Sequence, residues 1–264
     1  MLVSDAHRAA LLAHTLPRAT RIPNRLDPFD TAAVCNALRL TLARAIGGCA
    51  VCKAGDSDAP VPRKLAVGAH SITIFEAAGD YATRLWLSSM HLSEWLMVHN
   101  KVFAASTVLE VGCGTGLCSL ALAASSNANV IASDVSSSGL DMVRAAARSQ
   151  GLHVECTHFD ICADAPLPAQ VEWLIASDVL YTPQLAIALA ERCIEISRRG
   201  GRAVVADPGR PTRRLFQSVL ERDGFRSAFV PMARATMEGL AIVLLHVEGE
   251  RSVSQFEAHA ELEG

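Results

Sequence analysis

From residue 107 to residue 248 the chain alternates between two hydrophobic rhythms. Short apolar runs rich in β-branched residues fall at 108–111, 130–133, 153–158, 173–177 and 202–206, each too brief for a helix and closed by a turn-forming or acidic residue. Between them the apolar positions recur every three to four residues. That period predicts helices starting at Leu117, over 137–150 with Gly151 as the stop, over 182–198, and over 212–223, where Leu215, Phe216, Val219 and Leu220 share a face before Gly224. Segments 225–230 and 241–247 read as a closing antiparallel pair of strands. Strand and helix patterns in alternation are those of an α/β domain.

Upstream, 64–75 alternates apolar and polar residues around Gly68, as a β-hairpin at the edge of the domain would. Residues 85–98 make an amphipathic helix carrying Trp86, Met90, Leu92, Trp95 and Leu96, with Trp95 as a core anchor. Another helix is predicted from Asp30, with Val34, Leu38, Leu42 and Ile46 on one face and Gly47 as its stop. Residues 47–62, with their glycines, aspartates and two prolines, read as a loop or linker. The chain thus divides into an N-terminal arm, helix and linker (1–62), an α/β domain (63–248) and an acidic tail expected to be mobile (249–264).

Half of the 264 residues are apolar, enough for a sizeable core. The net charge of −3, from 24 basic and 27 acidic residues, gives no global field for nucleic acid or an anionic membrane, which argues against both as partners. No apolar run approaches the roughly 18 residues of a membrane span. A soluble, cytoplasmic and monomeric protein is expected. Arg8, Arg18, Arg21 and Arg25, opposed by only Asp5 and Asp27, leave the mitochondrial matrix as the alternative. The eight cysteines are scattered through apparent helices and strands, which fits a reducing compartment. Cys49 and Cys52 form a C-x-x-C with no second pair, so no metal is expected.

The chemistry concentrates in 107–120, TVLEVGCGTGLCSL: a strand, a glycine turn and the start of a helix. Gly112, Gly114 and Gly116 let the backbone take positive φ and bring N–H groups against a ligand at a helix N-terminus. The last glycine of a dinucleotide fingerprint is replaced by Leu117, and Glu110 would repel a pyrophosphate while suiting a cationic α-amino group. Asp134 ends the second strand 22 residues after Gly112, where an acid binds ribose hydroxyls. A ligand with a ribose, a cationic amino group and no phosphate is S-adenosyl-L-methionine.

VLEVGCGTG at 108–116, followed by Ser133-Asp134, resembles the first two motifs of the class I, seven-β-strand S-adenosylmethionine-dependent methyltransferases. The resemblance covers about 86–248. It implies a Rossmann-like, doubly wound, seven-stranded sheet, mostly parallel with an antiparallel last strand, carrying an N-terminal helical and hairpin extension. It also implies a cofactor crevice at the switch point between strands one and four. Asp160, after the third strand, is then the candidate for the adenine amino group, and Ser177, closing the fourth strand, is placed with the cofactor-binding residues.

The pattern W-x-x-S-x-x-L-x-x-W-L from Trp86, with Leu87 where many members have proline, resembles the family 16 protein-lysine methyltransferases. So does Asp178-Val179-Leu180-Tyr181 after strand four. That resemblance implies a lysine-bearing protein substrate, with Asp178 and Tyr181 as catalytic residues and Trp86 beside both cofactor and acceptor. Arginine, histidine or small-amine acceptors and a non-catalytic scaffold are the rivals. Asp178 could instead cap the next helix, although Thr182-Pro183 can do so. Asp207-Pro208-Gly209-Arg210 after strand five resembles the branch that methylates the β-subunit of electron-transfer flavoprotein. Asp207 and Arg210 are therefore substrate candidates, Arg210 either gripping a substrate carboxylate or carbonyl, or pairing with Asp207 to fix the turn.

Overall fold

The computed structural model describes residues 59–231 except 79 and 226, together with 241–245. The predicted helix from Asp30, the linker up to residue 58, the C-x-x-C pair and the acidic tail lie outside the described residues.

Two strands, β1 (Val61–Val67) and β2 (His70–Glu76), pair antiparallel in a hairpin that turns at Gly68 with φ of 54°. A 3-10 turn at Tyr81–Thr83 leads into α1 (Leu87–Val98). Then follow β3 (Thr107–Val111), α2 (Leu117–Ser125), β4 (Asn129–Asp134), α3 (Ser137–Ser149), β5 (Glu155–His158), β6 (Trp173–Ser177), α4 (Pro183–Arg198), β7 (Arg202–Asp207), α5 (Arg213–Arg222), β8 (Ser227–Pro231) and β9 (Ala241–Leu245). Seven strands form one sheet in the order β5-β4-β3-β6-β7-β9-β8. The five from β3 to β7 run parallel, and β9 lies antiparallel to both β7 and β8. The chain leaves β3 toward β4 and β5, then returns to β3's other side with β6, which makes the β3–β6 boundary the switch point.

Burial on both faces explains why β3 and β6 read as continuous apolar runs rather than alternating ones. Leu109, Val111, Leu174 and Ala176 face α4 and α5 through Leu189, Cys193, Phe216 and Leu220. Val108, Trp173 and Ile175 face the other way, onto Leu92 and Leu96 of α1 and onto Phe103. The hairpin stays out of the main sheet. Its Leu65, Val67, Ile72 and Ile74 cover Leu117 and Leu120 of α2 and Ala146 and Ala147 of α3. The Gln150 amide imitates a neighbouring strand there, accepting from the Thr73 N–H at 2.7 Å and donating to the Thr73 carbonyl at 2.8 Å.

Candidate active site

The turn after β3 needs its glycines first for intrachain reasons. Gly112, Gly114 and Gly116 have φ of 64°, 54° and 73°, in the left-handed region that L side chains avoid. A Cβ on Gly112 would lie 2.9 Å from a methyl of Val179, and one on Gly116 would lie 2.6 Å from a methyl of Val143. At Gly114 it would lie 3.3 Å from the Ala82 carbonyl oxygen. The bare turn therefore lets β6's exit loop, α3 and the 81–83 turn close in on the crevice.

Glu110 lies beneath this turn, only 1% exposed, and its Oε2 accepts from both the N–H and the hydroxyl of Ser119, the third residue of α2. Its sequence role as partner of an amino group thus comes with a second one, satisfying a helix N-terminus. Burial pushes its carboxyl up to about 7 despite the Ser119 bonds, so at neutral pH it is poised to ionise when a cation arrives. Asp134 reaches back across the crevice mouth: Oδ2 accepts from the Gly114 N–H and Oδ1 from the Ser136 N–H, each at 2.9 Å. Each oxygen keeps a second lone pair, so two ribose hydroxyls can still be accepted. Asp160 is exposed after β5, with Oδ1 accepting from the Cys162 N–H. The Ser177 hydroxyl, at the end of β6, is buried with no partner among the described residues.

Asp80 gives no signal in the sequence, yet it ties the turn before α1 to the crevice. Its Oδ2 accepts from the hydroxyls of Ser136 and Ser138, 56 and 58 residues away, and these bonds hold its carboxyl below its usual range. Behind it the Trp86 indole N–H donates to the Tyr81 carbonyl, and the two rings stack at 6.2 Å. Trp86 is the N-cap residue of α1 but offers no side-chain cap.

The other half of the site gathers at Asp178. Its φ of 61° is left-handed, which aspartate tolerates better than most residues, and its N–H donates to the Ala206 carbonyl of β7. Thr182 caps α4, its hydroxyl accepting from the Leu185 N–H, so Asp178 is free of that duty. Arg210 gives Asp207 only its backbone N–H, and its guanidinium goes elsewhere. Its Nε and Nη2 both reach Asp178 Oδ1, at 2.7 and 2.5 Å, and its guanidinium lies 6.0 Å from the Tyr181 ring. Burial raises the Asp178 pKa, with Arg210 opposing.

Asp207 is fully buried rather than presented to a substrate. Its Oδ1 accepts from the N–H groups of Gly209 and Arg210 and from Nε of Arg213 at 2.7 Å, which makes it the organiser of the turn. The arginines at 192, 198, 199 and 202 are engaged with Glu195, Asp223, backbone carbonyls and the Trp173 ring. Among the described residues no cluster of ligands is arranged for a metal ion and no helix is long and apolar enough to cross a membrane.

The donor set fits S-adenosylmethionine: a glycine turn closed against protein atoms, an acid with two free lone pairs for a ribose, a buried acid poised at neutrality for an ammonium, and an orphaned hydroxyl at the switch point. Residues 108–201 match the family described as a methyltransferase domain. The fold is the Rossmann-like α/β fold of methyltransferases, and the matched segment and the donor set support S-adenosylmethionine as the cofactor.

The chain is 30% identical to the human protein-lysine N-methyltransferase EEF2KMT, over 59% of this chain and 56% of that protein. It is also 30% identical to human FAM86B1, over 53% of this chain and 50% of that one. It spans about half the length of the curated relatives it matches. Among solved structures, the T. thermophilus 16S rRNA N2 G1207 methyltransferase RsmC, in complex with AdoMet and guanosine, superposes with a TM-score of 0.57. That match is at 15% identity, over 72% of this chain and 51% of that chain, and shows the shared fold.

Proposed function

We propose that this chain methylates an amine nitrogen of a protein, most specifically a lysine ε-amine. The observation that carries the reading is the largely buried Asp178 carboxylate at the end of β6, held at Oδ1 by Arg210, with the exposed Tyr181 ring beside the pair. The similarity to EEF2KMT, a protein-lysine N-methyltransferase by name, supports the acceptor class. Bound S-adenosylmethionine supplies an electrophilic methyl group, so the chain's own task is to present a nucleophile with a free lone pair.

A lysine with a pKa of about 10.4 must lose a proton first, at a cost of roughly 4 to 5 kcal/mol at pH 7. A site that carries Arg210 beside Asp178 has little net charge with which to hold an ammonium. Desolvation against Tyr181 further favours the neutral amine. Trp86, behind the 3-10 turn, belongs to the wall of the same crevice. The D-P-G-R segment supports a narrower acceptor, the β-subunit of electron-transfer flavoprotein.

Incubation with tritiated S-adenosylmethionine and a cell lysate tests the reading. Label in a protein band, mapped to lysine, is the expected result. Label in small molecules or on another side chain would overturn the lysine acceptor, and no label at all would leave a cofactor-binding scaffold. Purified electron-transfer flavoprotein offered as sole acceptor tests the narrower assignment, which unlabelled β-subunit would refute.

A further inference from the structure

The first turn of α3 carries no acidic residue, although a helix N-terminus favours negative charge. Asp80 supplies one from another part of the chain. Its Oδ2 accepts from the Ser136 hydroxyl at 2.5 Å and from the Ser138 hydroxyl at 3.2 Å, while Oδ1 accepts from the Ala82 N–H. Ser136 in turn caps α3, its Oγ accepting from the Gly139 N–H at 3.1 Å. Two residues beyond Asp80, Ala82 fills the space that two glycines leave. A Cβ on Gly114 would lie 3.3 Å from the Ala82 carbonyl oxygen, and one on Gly139 would lie 3.3 Å from the Ala82 Cβ. Gly139 is helical and takes no left-handed φ, so it is packing against Ala82 that calls for a glycine there.

Segment 80–82 thus bears on Ser136 and on Gly114, and these are the two residues whose N–H groups orient Asp134. Ser136 donates to Oδ1 and Gly114 to Oδ2, each at 2.9 Å. We propose that Asp80 is a positioning residue for the cofactor: by fixing Ser136, with Ala82 confining Gly114, it holds the Asp134 carboxylate in one orientation before the ribose arrives. An acid already held at both oxygens loses less freedom when it accepts the ribose hydroxyls. This inference is independent of the acceptor and rests only on Asp134 as the ribose acid. Without Asp80, the Ser136 hydroxyl keeps Ser138 as a neighbour at 2.9 Å and can still cap α3, but nothing ties that helix end to the turn before α1.

The test uses the full chain and two ligands, S-adenosylhomocysteine and its 2′-deoxy analogue, titrated by calorimetry. Asp80→Ala should weaken S-adenosylhomocysteine about tenfold. The 2′-deoxy analogue has already given up one of the hydroxyls that Asp134 accepts, so its loss should be about threefold or less. Asp80 is exposed, so alanine opens no cavity, and the melting temperature of the unliganded chain should drop by no more than a few degrees. Asp80→Asn, which keeps an oxygen for the Ser136 hydroxyl, should bind S-adenosylhomocysteine more tightly than the alanine variant does. An Asp80→Ala affinity within about twofold of wild type overturns the proposal, and a lowered melting temperature beside it leaves Asp80 as a negative end for α3 alone. Equal losses for the two ligands also overturn it, because the effect then lies away from the ribose. So do equal losses in the alanine and asparagine variants, which make the effect one of charge and not of the bond to Ser136.

Discussion

Replacing Glu110 by glutamine separates what the buried carboxyl does for stability from what it does for the cofactor. The side chain is essentially inaccessible, and burial lifts it from an ordinary 4.5 to about 7. Between those values the unfolded chain has released the proton and the native chain retains it, so the unfolded state binds fewer protons and stability falls as pH rises, reaching its full loss above 7. At about 1.4 kcal/mol per pH unit, ionised Glu110 costs the fold on the order of 3 kcal/mol. Glutamine keeps an oxygen for the Ser119 N–H and hydroxyl and cannot ionise.

The melting temperature of Glu110→Gln minus that of the wild type should therefore widen from pH 5 to pH 8 by several degrees, up to roughly 10 °C for a domain of this size. Other titrating groups are common to both chains and cancel in the difference. The second readout is calorimetry of S-adenosylmethionine binding at pH 7 in two buffers of different ionisation enthalpy. A cationic amino group near Glu110 drives off the proton it half retains, so the wild type should release up to about half a proton more than the variant. A melting difference that stays constant with pH would refute the buried-acid argument. Equal proton release would refute the contact with the amino group.

Asp134→Ala should reduce S-adenosylmethionine binding below detection by calorimetry, since two bonds to a charged acceptor are lost at roughly 1.5 to 3 kcal/mol each; binding within about threefold of wild type would mean another acid holds the ribose. Asp178→Ala should keep cofactor affinity and lose turnover by at least about a hundredfold, with Asp178→Asn intermediate, whereas retained turnover would reduce the residue to partner of Arg210. Arg213→Ala leaves the buried Asp207 carboxylate without its cation, so stability should fall by about 3 to 5 kcal/mol, read as a lower urea midpoint with an unchanged slope. Gly112→Ala combines a positive φ with a methyl 2.9 Å from Val179, so the domain should lose stability and cofactor affinity together, with Val179→Ala restoring part of the loss; full restoration would show that the φ strain contributes nothing.

What could be read from the sequence is what local physics decides. The strand ending at Val111, the glycine turn and the helix from Leu117 follow from a change of hydrophobic period and three residues able to take positive φ. Trp173–Ser177 was legible because a strand buried on both faces is an unbroken apolar run. The Thr182-Pro183 cap was legible because its bond spans three residues. Asp134 could be placed because one helical crossover fixes its distance from the turn.

The tertiary structure alone decided which charge meets which. The Arg210 guanidinium stands three residues from Asp207 but finds Asp178, 32 residues away, because β6 and β7 are neighbours and the cation on Asp207 is Arg213. Asp207 looks in sequence like an exposed loop acid and is fully buried. Glu110 gains Ser119, and Asp80 gains Ser136, only when the turn folds back on itself. Hydrophobic period and backbone permission act over a few residues and are written along the chain; partnership between polar groups depends on which strands the sheet makes neighbours, and no local pattern carries it.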